Sequence, residues 1–246
     1  MTSSILMSTI FLLSFIGHAA SLSPTMSPSP SAPISNIYQL TNNPFGAKCL
    51  DGSSPVYYYE AGFGSGINKW IFNYEGGGYC QPNAQVCYNS IKTNSYFTSG
   101  DVQVVRPYHN FTVDPFTSGT HGIFLSANPT YNPQLYNYNK VFLHYCSQDL
   151  WMGNRLSSIP VNQTAGTKIY FMGNLISQAI LADVFQRFPS IVTANTVIVS
   201  GGSAGAFGGS YHKLDTIRAM FPLSTIVGII LYFILVSMTF TSKVAL

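Results

Sequence analysis

The sequence predicts an α/β fold: a mainly parallel sheet with helices on both faces. Three observations carry that prediction. Lys69 to Tyr74 (KWIFNY) is a strand-like run that stops at Glu75-Gly76-Gly77-Gly78. Thr196 to Val199 is a second, β-branched run, and it stops at Gly201-Gly202-Ser203-Ala204-Gly205. Between them, Ile169, Met172, Ile176, Ile180 and Val184 recur at three- and four-residue steps, the spacing of an amphipathic helix over Lys168 to Arg187. Strands alternating with helices imply parallel pairing, with a site at the carboxyl ends of the strands.

The remaining elements follow in chain order. Residues 1–21 are apolar from Ile5 to Ala20 and then small, and they read as a secretory signal peptide, with a hydrophobic anchor as the competing reading. Residues 22–37 are rich in Ser and Pro, cannot build a core, and read as an extended spacer. Val102 to Val105 and Lys140 to Tyr145 are expected as short strands, and Tyr108 to Asn139, rich in Asn, Pro, Gly and Thr, as largely loop. A helix is expected from Ala204 to about Met220. Residues 221–242 are apolar and uncharged, about long enough to cross a bilayer, although Lys213 and Arg218 before the segment set the charge bias against insertion. The rival readings are a buried piece of the domain and a non-native end.

Ser203 sits where an acyl-transfer nucleophile would. G-x-S-x-G between a strand and a helix places a serine on a tight turn, with the following N–H facing the reacting carbonyl. Consecutive glycines at Gly76 to Gly78, just past another strand, let backbone N–H groups approach an oxyanion closely. The amides of this glycine loop and the Ala204 N–H are therefore the candidate donors. A base is harder to find among the five histidines. His18 falls in the leader. His144 lies on a strand and reads as a packed or surface residue. His212 is nine residues past Ser203 on one helix, about 13 Å along its axis. His109 and His121 lie in the loop region. In α/β hydrolases the acid and histidine follow the serine, and here only His212 and Asp215 do.

Composition bounds the setting. The balance of 11 Lys+Arg against 8 Asp+Glu leaves no basic stripe for nucleic acid. Four cysteines in a chain that reads as exported imply disulfides, with three connectivities open. The short loop between Cys80 and Cys87 favours that pair and leaves Cys49 with Cys146. No metal is expected, since zinc-ligand spacings are missing, and no cofactor is called for. Sequons at Asn110 and Asn162 fit the same compartment.

Several segments together resemble the pectin acetylesterase/Notum family of carboxylester hydrolases. They are Cys49-Leu50-Asp51-Gly52-Ser53, Tyr57-Tyr58-Tyr59, Trp70, Glu75-Gly76-Gly77-Gly78-Tyr79-Cys80 and Cys87. Asn137 to Cys146 follows, then Ser147-Gln148-Asp149-Leu150-Trp151, Phe171-Met172-Gly173 and Gly201 to Gly205. The resemblance spans about Tyr38 to Met220, within a partial domain over 38–220. It implies an α/β-hydrolase-like fold, Ser203 as nucleophile, Gly77, Gly78 and Ala204 as oxyanion donors, and disulfides Cys80–Cys87 and Cys49–Cys146. Asp149 is implied as a pocket residue, with a loop or capping role as the alternative. The family's acid and histidine lie well beyond its serine, so the chain is expected to be C-terminally truncated and inactive as it stands. The implied substrate is an acylated glycan or a lipidated protein, met outside the cell or at a membrane through 221–242. The alternative is a catalytically dead fragment that at most binds a glycan or ester.

Overall fold

The computed structural model describes residues 36–81, 83–108, 125–162, 166–221 and 225–231. Its strands are β1 (Asn36–Gln39), β2 (Val56–Glu60), β3 (Lys69–Tyr74), β4 (Asn139–Leu143), β5 (Ile159–Asn162), β6 (Thr167–Ile169), β7 (Thr196–Gly202) and β8 (Thr225–Leu231). Its helices are α1 (Ala84–Thr93), α2 (Val102–Tyr108), α3 (Gly173–Arg187), a π-helical stretch Gly205–Tyr211 and α4 (His212–Met220). Six strands form one sheet in the order β1-β2-β4-β3-β7-β8, while β5 and β6 make a separate hairpin. Strands β4, β3, β7 and β8 run parallel, and β2 is antiparallel to both β1 and β4. The sheet is thus mixed, with its parallel half carrying the two motif strands.

Alternation along the central strands fills both faces. Trp70, Phe72 and Tyr74 of β3 pack with Val141, Leu143, Val197 and Val199 against Ile176, Ile180 and Val184 of α3 and Ile217 of α4. Ile71, Phe142 and Ile198 point the other way and meet Val105 of α2, with Tyr96 and Leu125. Strands covered on both sides read as continuous apolar runs, which is why KWIFNY shows no polar alternation. Asn73 Nδ2 donates to Ser200 Oγ at 2.8 Å and ties β3 to β7 just below the motif ends.

Two expectations change and a third narrows. Val102–Val105 is helical, not a strand: Asp101 Oδ1 accepts the Gln103 N–H at 2.9 Å, a side-chain cap, and Val105 is buried. The helix expected from Lys168 starts at Gly173, because Thr167–Ile169 pairs with β5. The segment 221–242, left open between a membrane helix, a buried piece of the domain and a non-native end, contributes β8 over Thr225–Leu231, in parallel register with all of β7. Thr225, Ile226, Val227, Ile229 and Ile230 are β-branched, and a short apolar run of that kind suits a strand in a sheet as well as a helix. Among the described residues no helix is long and apolar enough to cross a membrane. Residues 232–242, the leader, the spacer to residue 35, and Asn110 lie outside the described residues, and Asn162 closes β5.

Candidate active site

The two motif strands lie side by side and parallel, with Tyr74 opposite Gly201. The glycine loop and the serine turn therefore leave the same edge of the sheet. Ser203 has φ 51°, a left-handed conformation that non-glycine residues seldom adopt, and its residue is exposed. Its carbonyl accepts the N–H groups of Ala206 (3.0 Å) and Phe207 (3.1 Å), which starts the following helical stretch directly beneath the turn.

Glycine is needed where backbones touch. A Cβ at Gly205 would lie 2.0 Å from the Tyr74 carbonyl oxygen. A Cβ at Gly76 would lie 2.4 Å from the Gly202 oxygen and 3.1 Å from the Ser203 Cβ. The loop that carries Gly77 and Gly78 thus begins in contact with the serine turn. Gly78 has φ 76°, and Gly77 packs against the Phe97 ring. Ala204 is buried behind the turn. The structure brings Ser203, Ala204 and the glycine loop to one place.

The loop's first residue is held from below. Glu75 is buried, its Oε1 accepting Tyr96 Oη at 2.6 Å and its Oε2 accepting the Tyr145 N–H at 2.9 Å. The same Oε2 faces His144 Nδ1 at 2.8 Å, while His144 Nε2 faces the Ser99 carbonyl at 3.0 Å. Burial pushes the Glu75 carboxyl up, but His144, with the Tyr96 hydroxyl and Tyr145 amide, outweighs it and holds the group below its ordinary value. His144 is therefore committed to Glu75 rather than available to Ser203.

Asp149 is committed as well. Its carboxylate accepts Ser147 Oγ (2.6 Å), the Trp151 N–H (3.1 Å) and the Gly173 N–H (2.8 Å), the last capping α3 from a distant loop. Gly153 and Gly173 crowd it so closely that a Cβ at either would lie 2.0–2.2 Å from its oxygens. Burial raises its carboxyl above the ordinary value despite those bonds. Lys213 of α4 is nearby, bonded to Asn174, with burial lowering its ammonium and the Asp149 charge opposing that shift.

His212 opens α4 with its ring 5.8 Å from Phe207, and Asp215 pairs with Arg218 at 2.9 Å on the surface. Among the described residues no histidine or carboxylate hydrogen-bonds the Ser203 hydroxyl. His18, His109 and His121 lie outside them. Cys49 is bonded to Cys146 and Cys80 to Cys87. Sequence reasoning missed the His144 and Tyr96 partners of Glu75 and the bond from Gln148 Nε2 to the Gly77 oxygen, although the run Tyr145 to Asp149 marked where to look.

Comparison with known proteins identifies the family. Residues 31–232 match the family model described as pectinacetylesterase. Pectin acetylesterase 7 of Arabidopsis thaliana is 34% identical over 179 residues, which cover 72% of this chain and 39% of that protein. Palmitoleoyl-protein carboxylesterase NOTUM of Schmidtea mediterranea is 31% identical over 167 residues, covering 68% of this chain and 28% of that protein. The solved structure of the Wnt deacylase Notum from Drosophila superimposes with a TM-score of 0.62 at 25% identity, covering 79% of this chain and 51% of that one. The chain spans about two-fifths or less of the length of these curated relatives. A match over most of its residues places the chain in the pectinacetylesterase family, the carboxylesterase family that takes in both the pectin acetylesterases and Notum.

Proposed function

We propose that Ser203 is the nucleophile of a serine carboxylester hydrolase acting on an acylated glycan or a lipidated protein. The observation that carries this is Ser203 at φ 51° on the end of β7, in contact with Gly76 at the head of the glycine loop. Ser203 Oγ attacks the ester carbonyl carbon, and its proton passes to a general base. The Gly77, Gly78 and Ala204 amides hold the oxyanion that forms. The oxyanion collapses, the alcohol leaves with the proton, and water then cleaves the acyl-serine to release the acid and free Oγ. Names of relatives support both substrate classes: pectin acetylesterase on one side, palmitoleoyl-protein carboxylesterase on the other. Two disulfides, the apolar leader at 1–21, the spacer at 22–37 and the sequons at Asn110 and Asn162 support delivery through the secretory pathway.

One observation favours a second reading, a catalytically dead chain that at most binds a glycan or ester. No described histidine or carboxylate reaches Ser203. In a serine hydrolase such as subtilisin, loss of triad function costs on the order of 10⁶ in turnover, so residues 22–246 should hydrolyse p-nitrophenyl acetate little above background. Joining the chain to the C-terminal region of a longer relative should restore hydrolysis, and Ser203→Ala should remove it. Vigorous Ser203-dependent turnover by the chain alone would refute the inactive reading and point to His109 or His121 as base. A joined protein that stays inert would refute the esterase reading.

A further inference from the structure

We propose that the turn Tyr145–Trp151 is a clamp that sets the peptide planes of the oxyanion loop, with Gln148 as its positioning residue. The proposal rests on the reading of Ser203 as an acyl-transfer nucleophile. Three carbonyls of the loop are held from this one segment. Trp151 Nε1 donates to the Glu75 oxygen at 2.9 Å, Gln148 Nε2 to the Gly77 oxygen at 3.1 Å, and Tyr145 Oη to the Gly78 oxygen at 3.0 Å. The clamp is itself cross-braced. The Leu150 N–H donates to Tyr145 Oη at 2.8 Å, the Cys80 N–H donates to the Gln148 oxygen at 3.0 Å, and Gln148 Nε2 also reaches the Phe97 oxygen at 3.3 Å. Both partners of the Gln148 amide are carbonyls, so only its NH₂ can face them.

A trans peptide is planar, with its C=O and N–H pointing opposite ways. Holding the Gly77 oxygen on the Gln148 side therefore turns the Gly78 N–H to the other side. The Tyr145 bond fixes the next plane, Gly78–Tyr79, and the Trp151 bond fixes the Glu75–Gly76 plane at the head of the loop, in the same manner. Three glycines in a row have little preference of their own, and a plane free to rotate would present a carbonyl where an oxyanion needs a donor. The clamp is strained, as a device under selection for geometry would be. Gln148, Leu150 and Trp151 have φ 52°, 60° and 61°, three left-handed non-glycine residues within four positions. Such conformations persist only where the surroundings over-determine them.

The test compares the full chain with Gln148→Met, which keeps the volume without a donor, and with Gln148→Glu, which donates only when protonated. Two readouts are taken: the rate at which an activated organophosphonate labels Ser203 between about pH 4 and 8, and the Gly77 carbonyl ¹³C and Gly78 amide ¹⁵N shifts. Gln148→Met should label slower by about tenfold to a hundredfold, with its fold intact by near-ultraviolet dichroism and both glycine shifts moved. Gln148→Glu should gain on Gln148→Met as pH falls, because a neutral carboxyl donates to the Gly77 oxygen and a carboxylate repels it. A merely structural role would give no such pH-dependent ratio. Wild-type labelling rates with unmoved shifts in Gln148→Met would overturn the proposal, as would a flat ratio across pH. Should Gln148→Met unfold, Gln148→Glu decides by its pH profile and shifts. Where the wild-type chain does not label, as a serine without a base would not, the nucleophile reading is left to the joined protein and the glycine shifts of the folded variants decide the clamp by themselves.

Discussion

Ser203 shows how much local energy the site stores. A side chain at φ 51° costs roughly 1–2 kcal/mol relative to an ordinary conformation, and glycine is free of that cost. Ser203→Gly is therefore expected to be more stable than Ser203→Ala by about 1 kcal/mol in urea unfolding, although both lose the hydroxyl. Glu75 makes a second residue-scale prediction. Its native value is depressed below 4.5, so its contribution to stability is full above about pH 4.5 and drains as pH falls through the lower native value. Glu75→Gln should lose stability at neutral pH and flatten the acid limb of a stability–pH curve, a limb that an unlinked Glu75 would leave unchanged. At this scale the sequence was legible where a motif marks local geometry: the serine turn, the glycine loop and the cysteines all stand out by spacing. His144 and Gln148 were not, because their meaning lies in partners 45–71 positions away that no local pattern reveals.

Elements were legible to the extent that their signals are local. KWIFNY and the run into Ser203 were placed as strands because both are apolar runs that end abruptly at glycine. Val102-Gln103-Val104-Val105 has a strand-like composition, yet the Asp101 cap and a buried Val105 make it helical, a case of tertiary packing overriding propensity. Helix α3 carries no cap of its own, and Asp149, a far-off residue, supplies the acceptor. Asp149→Ala should therefore cost about 1–3 kcal/mol by leaving the Gly173 N–H unmet, and hydrogen exchange should show the first turn of α3 fraying. The two disulfides differ in what they constrain. Cys49–Cys146 closes 97 residues and Cys80–Cys87 only 7. Loop entropy predicts a loss of about 4–5 kcal/mol from a Cys49→Ser/Cys146→Ser pair, against about 2–3 kcal/mol from the shorter bridge, measured by denaturant midpoints.

For the whole molecule the decisive element is β8, which turns part of an apolar tail into a sixth strand. Consecutive residues in a strand point their N–H groups to opposite sides, so one of Gly228 and Ile229 donates toward β7. Proline at that position should cost about 1–3 kcal/mol through the lost ladder bond and expose the edge of β7, while a helix inserted in a membrane would leave the soluble fold indifferent to the substitution. The order of the sheet has a kinetic consequence too. Lys69 pairs with Thr196, so β3 and β7 join across more than half of the chain, and theirs is the contact that brings Gly76 against Ser203. Pairings of such long span close late, after shorter loops have formed. The candidate site is therefore the molecule's own completion signal: a chain caught early in folding has no adjacent loop and serine, and any labelling of Ser203 by an electrophile should appear only with the final slow phase.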